Sequence, residues 1–200
     1  LPMMEKYNLF RLYYYRLKTN LFYKILFLEI GSNTAIFKPL FLAGLKKIKL
    51  GSNILIRDGA RIEAIAKGSI IIGDDVSIEQ YCHLTSAGTL TIGSNSTLSF
   101  DVMITTIDHE YQIIDKHILQ QPYIVSDTYI GDNCFIGSGA KIQAGVRLGK
   151  QCIVGANSVV RGVFPDYCVI VGAPAKIVKR FNPTTNLWEK VNPDGSFKNE

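Results

Sequence analysis

An aliphatic residue, a glycine and then polar turn formers recur together down this chain: Ile30-Gly31-Ser32-Asn33, Leu50-Gly51-Ser52-Asn53, Ile72-Gly73-Asp74-Asp75, Ile92-Gly93-Ser94-Asn95, Ile130-Gly131-Asp132-Asn133 and Leu148-Gly149-Lys150-Gln151. Aliphatic positions step by six between them, most cleanly through Ile130, Ile136, Ile142, Leu148, Val154 and Val160. A helix repeats near 3.6 residues and a flat strand near 2, so a step of six fits neither alone. It fits a short strand plus a turn, with Gly, Asn and Asp supplying left-handed turn conformations. Three such units close a triangular coil of 18 residues, the spacing of Gly131 and Gly149 and again of Gly137 and Gly155. The period is that of a parallel β-solenoid. Aliphatic residues stack from coil to coil at about 4.8 Å.

The rhythm breaks after the third unit of several coils. Leu42 to Leu50 is 8 residues, Ile62 to Ile72 is 10, Leu84 to Ile92 is 8, and Ile104 to Ile130 is 26. The insertions therefore leave the prism at one corner, and insertions on one face of a solenoid often mark its binding face. The largest, residues 105–129, is long for a structureless connection, and such loops tend to be functional.

Apolar content of 47% with 20% charged residues excludes a disordered chain, and 200 residues suit one domain with terminal additions. Residues 1–29 carry most of the local basic excess (Lys6, Arg11, Arg16, Lys18, Lys24) together with many aromatics. They read as one or two short helices capping the open end of the coil, as terminal repeats require. The alternative for such a segment is peripheral contact with the inner face of a membrane. No apolar run is long enough to span a bilayer. Cys82, Cys134 and Cys152 occupy the small slot four residues after an aliphatic one, where they act as buried, reduced fillers. A cytoplasmic location follows from that use of cysteine. Neither a helix-turn-helix, a zinc finger nor a dense basic stripe points to nucleic acid.

Two constellations can carry chemistry. His109 lies at the base of the large insertion, between Asp108 and Glu110. A carboxylate beside an imidazole can fix its tautomer and raise its basicity, so either neighbour is a candidate support. His83 belongs to the preceding coil near the same corner, and His117 lies mid-loop. At the far end, Arg161, Lys176, Lys179 and Arg180 gather where a phosphate-bearing ligand would be met.

The phrases Ile130-Gly131-Asp132-Asn133-Cys134-Phe135-Ile136-Gly137, Val154-Gly155-Ala156-Asn157-Ser158 and Gly172-Ala173-Pro174-Ala175-Lys176 resemble the hexapeptide-repeat acyltransferases, over roughly residues 30–180. More narrowly they are similar to the galactoside and maltose acetyltransferases and to the O-acetyltransferases of capsule and O-antigen clusters. The resemblance implies a left-handed parallel β-helix, a homotrimer with sites in clefts between subunits, and acetyl-CoA as acyl donor. It implies His109 as catalytic base. Ser138 and Ala156 fall where backbone groups line the pantetheine channel, and Phe135 stands where many relatives have Trp. Arg161, Lys176 and Lys179 lie near the positions that meet the CoA phosphates. Several sugar acetyltransferases carry an acceptor-positioning Asn on the preceding coil. This chain has Glu79-Gln80-Tyr81-Cys82-His83 there, which leaves Tyr81 or His83 to meet the acceptor.

The expectation is thus an all-β solenoid with a helical cap at 1–29, a β-helix at 30–171 carrying the loop 105–129, and a CoA-proximal segment and tail at 172–200. Its expected reaction is direct O-acetylation of a sugar hydroxyl of a surface polysaccharide or its precursor, without a metal. N-acylation of an amino-sugar nucleotide stays within the same scaffold. A zinc carbonic-anhydrase-like β-helix needs imidazoles placed for a metal, and His109 and His117 lie eight residues apart. A non-catalytic scaffold leaves the loop His and the basic end without a task.

Overall fold

The computed structural model describes residues 2–192 and 194–198. Short parallel strands wind into a three-sided prism. Ile30, Leu50, Ile72, Ile92, Ile130, Leu148 and Phe164 stack in register on the first face. Ile36, Ile56, Ile78, Leu98, Ile136, Val154 and Ile170 stack on the second. Leu42, Ile62, Leu84, Ile104, Ile142 and Val160 form the third. These columns are the core, and all but Leu42 are buried. Burial of such a side chain contributes about 1.5–3 kcal/mol, set against about 1–2 kcal/mol for fixing each residue's backbone. A repeat this short holds its shape only because each rung also hydrogen-bonds to the next.

The recurring Gly and Asn have separate causes at the corner between the first and second faces. A Cβ on Gly93 would lie 2.5 Å from the backbone nitrogen of Asp132 and 2.6 Å from the carbonyl carbon of Gly131, so the stacked rungs leave no room for one. Asn95 sits at φ 60°, the left-handed region its short amide tolerates. Its backbone N–H donates to Asp74 O at 2.9 Å, tying one rung to the last.

The insertions emerge at the corner between the third and first faces. The largest is an ordered hairpin rather than a structureless loop. Ile107–His109 pairs antiparallel with Tyr123–Val125, setting His109 opposite Tyr123. Buried Gln121 holds the tip, its Nε2 donating to Ile113 O and Lys116 O while its Oε1 accepts from the Ile113 N–H. At the base, the buried Thr106 hydroxyl accepts from the backbone N–H groups of Ala87 and Gly88 in the coil below.

Both ends are covered. A helix over Pro2–Lys18 continues through a π-helical turn, Thr19–Tyr23, into one turn at Lys24–Leu26. Tyr15 stacks on Phe37 at 4.7 Å, and the buried Thr19 hydroxyl accepts from Ile36 N–H while donating to Tyr15 O. The opposite stripe of this helix, Leu9, Phe10, Tyr13, Tyr14 and Leu17, is exposed, Phe10 to 72%. No helix among the described residues is long and apolar enough to cross a membrane. At the other end the chain leaves the last rung, Cys168–Gly172, and returns as antiparallel strands Ala175–Asn182 and Leu187–Lys190. The terminal segment is therefore a β-meander that extends the second face. Trp188 packs edge-on against Phe181 within it.

Cys82, Cys134, Cys152 and Cys168 are all buried free thiols. Burial pushes the Cys82 thiol up to about 12.

Candidate active site

A groove of about 550 Å³ runs along the third face beneath the hairpin. Its lining follows from strand alternation, since residues two apart on a strand share a face. Register places Arg61, His83 and Met103 in one outward column and Glu63, Thr85 and Thr105 in the next. Gln143 and Arg161 line the groove from higher coils, and Asp108, His109 and Tyr123 line it from the hairpin.

His109 is half-buried, its ring edge-on to Tyr123 at 5.0 Å. Its Nδ1 is buried without a partner among the described residues, and Nε2 is the nitrogen the ring leaves accessible. The neighbouring carboxylates serve the backbone. Asp108 Oδ1 accepts from the His109 N–H at 2.9 Å, and Glu110 Oε1 accepts from the N–H groups of Tyr111 and Gln112. They fix the course of the hairpin, and no hydrogen bond joins either carboxylate to the imidazole. His117 Nδ1 accepts from the Leu119 N–H and so caps the turn at the loop tip. No group of three His, Cys, Asp or Glu side chains among the described residues is placed to hold a metal ion.

The best-ordered polar cluster of the groove is one that sequence reading passed over. Glu63 is buried, and its carboxylate takes the Arg61 guanidinium through Nε at 2.9 Å and Nη2 at 3.1 Å. The Thr85 hydroxyl donates to Glu63 Oε1 at 3.0 Å and also meets His83 Nε2 at 2.8 Å. The Arg61 hydrogen bonds hold the Glu63 carboxyl below the ordinary glutamate range, against the upward push of burial, with Thr85 and His83 adding to the effect. The signal was present in the sequence: aligning coils by their aliphatic columns puts Arg61-x-Glu63 one rung below His83-x-Thr85.

The remaining expected site residues lie elsewhere on the chain. Phe135, Ile153, Val169 and Lys179 form one outward column on the second face, with Lys176 opposite Val171 beside it. Ser138 and Ala156 are exposed on successive rungs at the corner between the second and third faces, where the Asn157 N–H donates to Ser138 O. Tyr81 stands at that corner too, edge-on to Phe100 and against Gly59, outside the groove lining. The structure brings His109, Asp108, His83 and Arg161 together. It leaves Phe135, Ser138, Ala156, Lys176 and Lys179 on a different side of the same prism.

With that geometry in hand, likeness to known proteins becomes informative. The family described as "Bacterial transferase hexapeptide (six repeats)" matches residues 127–162. The "Putative lipopolysaccharide biosynthesis O-acetyl transferase WbbJ" of Escherichia coli (strain K12) is 33% identical over 163 residues, which cover 76% of this chain and 82% of that protein. The chain belongs to the hexapeptide-repeat transferases. Among solved members of this fold, AntD, an N-acyltransferase from Bacillus cereus in complex with dTDP and coenzyme A, superposes with a TM-score of 0.70 at 21% identity, over 81% of this chain and 88% of that one. Galactoside acetyltransferase in complex with coenzyme A superposes with a TM-score of 0.57 at 18% identity, over 99% of this chain and 90% of that one. The prism is thus the left-handed parallel β-helix of the hexapeptide transferases, and their repeat is the six-residue step read from the sequence.

Proposed function

We propose that this protein is an acetyl-CoA-dependent O-acetyltransferase acting on a sugar hydroxyl, of a surface polysaccharide or its precursor, as a cytoplasmic homotrimer. The observation that carries this reading is His109, held on a rigid hairpin with Nε2 open to a polar groove. Likeness to a protein named for lipopolysaccharide O-acetylation supports the reaction and the acceptor class. A second support for the donor is the pair of coenzyme A-bound relatives in fold.

In the proposed step, His109 Nε2 takes the proton of the acceptor hydroxyl as that oxygen attacks the thioester carbonyl. The carbon–oxygen bond forms, the carbon–sulfur bond breaks, and the proton passes to the departing thiolate of CoA. Such a base contributes about 10²–10⁴-fold. For Nε2 to accept, Nδ1 must carry hydrogen, and within one chain that buried N–H lacks an acceptor. An unmet buried donor costs about 1–3 kcal/mol, which an ordered water or a carbonyl of a neighbouring copy offsets in the assembly. Asp108 and Glu110 support the ring through the hairpin backbone.

The two separated groups of residues support a cyclic trimer. In it, the second face of one copy, with Phe135, Ser138, Ala156, Lys176 and Lys179, meets the third-face groove of the next, with His109, His83 and Arg161. The hairpin tip supports the same assembly, since Ile114 is 80% and Leu119 72% exposed on an isolated chain. Tyr81, at the edge of the second face, then reaches the acceptor from the adjoining copy.

The exposed stripe of the N-terminal helix is flanked around the helix by Arg16 and Lys18. We read it as resting on an anionic membrane surface, the arrangement of an interfacial helix. Co-sedimentation with phosphatidylglycerol vesicles that survives in Phe10→Glu with Tyr14→Glu removes that contact from the proposal.

Calorimetry with acetyl-CoA, followed by CoA release with sugar acceptors, tests the whole. His109→Ala is expected to keep acetyl-CoA binding and to lose turnover by about 10²–10⁴-fold. Wild-type turnover in that variant excludes His109 as the base.

A further inference from the structure

Proton counting around His83 leads beyond the choice of His109. Glu63, held by the Arg61 guanidinium, is an ionised carboxylate and can only accept. Thr85 has one hydroxyl proton, and its oxygen lies 3.0 Å from Glu63 Oε1 and 2.8 Å from His83 Nε2. If that proton pointed at a bare Nε2, the Thr85 oxygen would face the carboxylate lone pair to lone pair. Bare Nε2 would also lie 3.5 Å from the same carboxylate oxygen. Both contacts become favourable when Nε2 carries hydrogen, donates to Thr85, and Thr85 donates to Glu63. The second ring nitrogen, Nδ1, has no partner among the described residues and is not buried. The ring lines the groove that holds His109, its side chain 44% exposed.

We infer that Glu63, Thr85 and His83 form a one-way relay that fixes His83 as the Nε2–H tautomer and presents Nδ1 as the acceptor for a second hydroxyl of the bound sugar. The inference rests on the transferase reading above and adds to it how the acceptor is oriented. His83 touches the sugar. Thr85 and Glu63 are positioning residues that act through it, and Arg61 keeps Glu63 ionised. His109 and His83 then divide the work by opposite ring nitrogens: Nε2 of His109 takes a proton, and Nδ1 of His83 holds a neighbouring hydroxyl so that the reacting oxygen faces the base. The relay selects acceptors with a free hydroxyl beside the one acetylated, and a sugar lacking that hydroxyl loses the contact.

The test has two arms. Long-range ¹H–¹⁵N spectra of histidine-labelled protein read the tautomer without any substrate. Wild type is expected to show His83 as Nε2–H, with that preference lost in Thr85→Val and restored in Thr85→Ser; an Nδ1–H tautomer in wild type overturns the relay. The second arm measures kinetics with the best acceptor among p-nitrophenyl gluco-, galacto- and N-acetylglucosaminopyranosides. Thr85→Val and Glu63→Gln are each expected to raise the acceptor KM about tenfold, the worth of one hydrogen bond, and to leave the acetyl-CoA KM unchanged. Thr85→Ser is expected to restore it. An acceptor KM unmoved in Thr85→Val sinks the relay and leaves the transferase standing. A wild type that neither binds nor uses acetyl-CoA sinks the transferase reading, whatever the tautomer.

Discussion

At the corner between the first and second faces, one rung copies the next. Asn33, Asn53, Asp75, Asn95, Asn133, Gln151 and Tyr167 all take the left-handed conformation there, between φ 52° and 60°. At the corner between the third and first faces the rungs differ. One turns through a 3₁₀ segment at Leu45–Lys47, another through the Ile107–His109 hairpin, and a later one through Gly145 alone. The first corner closes the prism and allows no freedom, because its atoms already lie within contact of the neighbouring rung. The second is free to vary because what leaves there packs outward. The groove lies under that free corner, so chemistry has been built where the repeat is relaxed and stability where it is strict.

The largest effect expected from breaking this contrast is on activity, through the free corner. Ile114→Glu with Leu119→Glu places charge on the exposed hairpin tip and leaves every rung intact. We expect an unchanged far-ultraviolet spectrum, a monomer by light scattering, and turnover reduced by about 10³-fold or more, because donor and acceptor are no longer held together. A variant that stays trimeric and active removes the hairpin from the assembly. Next comes the strict corner. Gly93→Ala adds one carbon within 2.6 Å of backbone in the rung above. The cost is expected to be about 3 kcal/mol or more, read as a fall in the denaturation midpoint. An unchanged midpoint means the rungs part more easily than their stacking implies.

How legible each region was from the residues follows from the same contrast. The six-residue step gave all three core columns, because one aliphatic residue per face is what stacking demands and nothing else competes for those positions. The glycine and asparagine of each phrase were legible for the same reason. His109 was found because a histidine at the base of the one long insertion stands out against the repeat. Glu63 and Thr85 were not, because their polarity is ordinary for outward positions of a strand. Their significance appears only when coils of 22 and 20 residues, Arg61 to His83 and His83 to Met103, are laid over one another. The roles of Asp108 and Glu110 were also out of reach. Sequence places a carboxylate beside an imidazole, and only the hairpin geometry shows it bonding to backbone N–H groups instead. The N-terminal segment read as a cap, and its inner stripe is one; its outer stripe became evident only once Tyr15 and Thr19 were seen to take the inward positions.

The smallest of these effects concerns the slot between the second and third faces, where regularity depends on small side chains. The backbone oxygen of Cys82 accepts from the Arg61 N–H, so Cys82 stacks directly above Ala60. Burial raises its thiol from an ordinary value near 9.0 to about 12. An acid whose folded pKa is raised stabilises the fold below its unfolded pKa and loses that contribution as pH rises toward the folded value. Stability should therefore decline from about pH 9 to about pH 12, at up to about 1.4 kcal/mol per pH unit for this one thiol. Cys82→Ala, which repeats the residue one coil below, should flatten that decline without disturbing the rung. Urea denaturation of both proteins at pH 8 and pH 10.5 measures the difference. Equal losses in the two would mean that alkaline unfolding begins elsewhere, and that the small slot is held by shape alone.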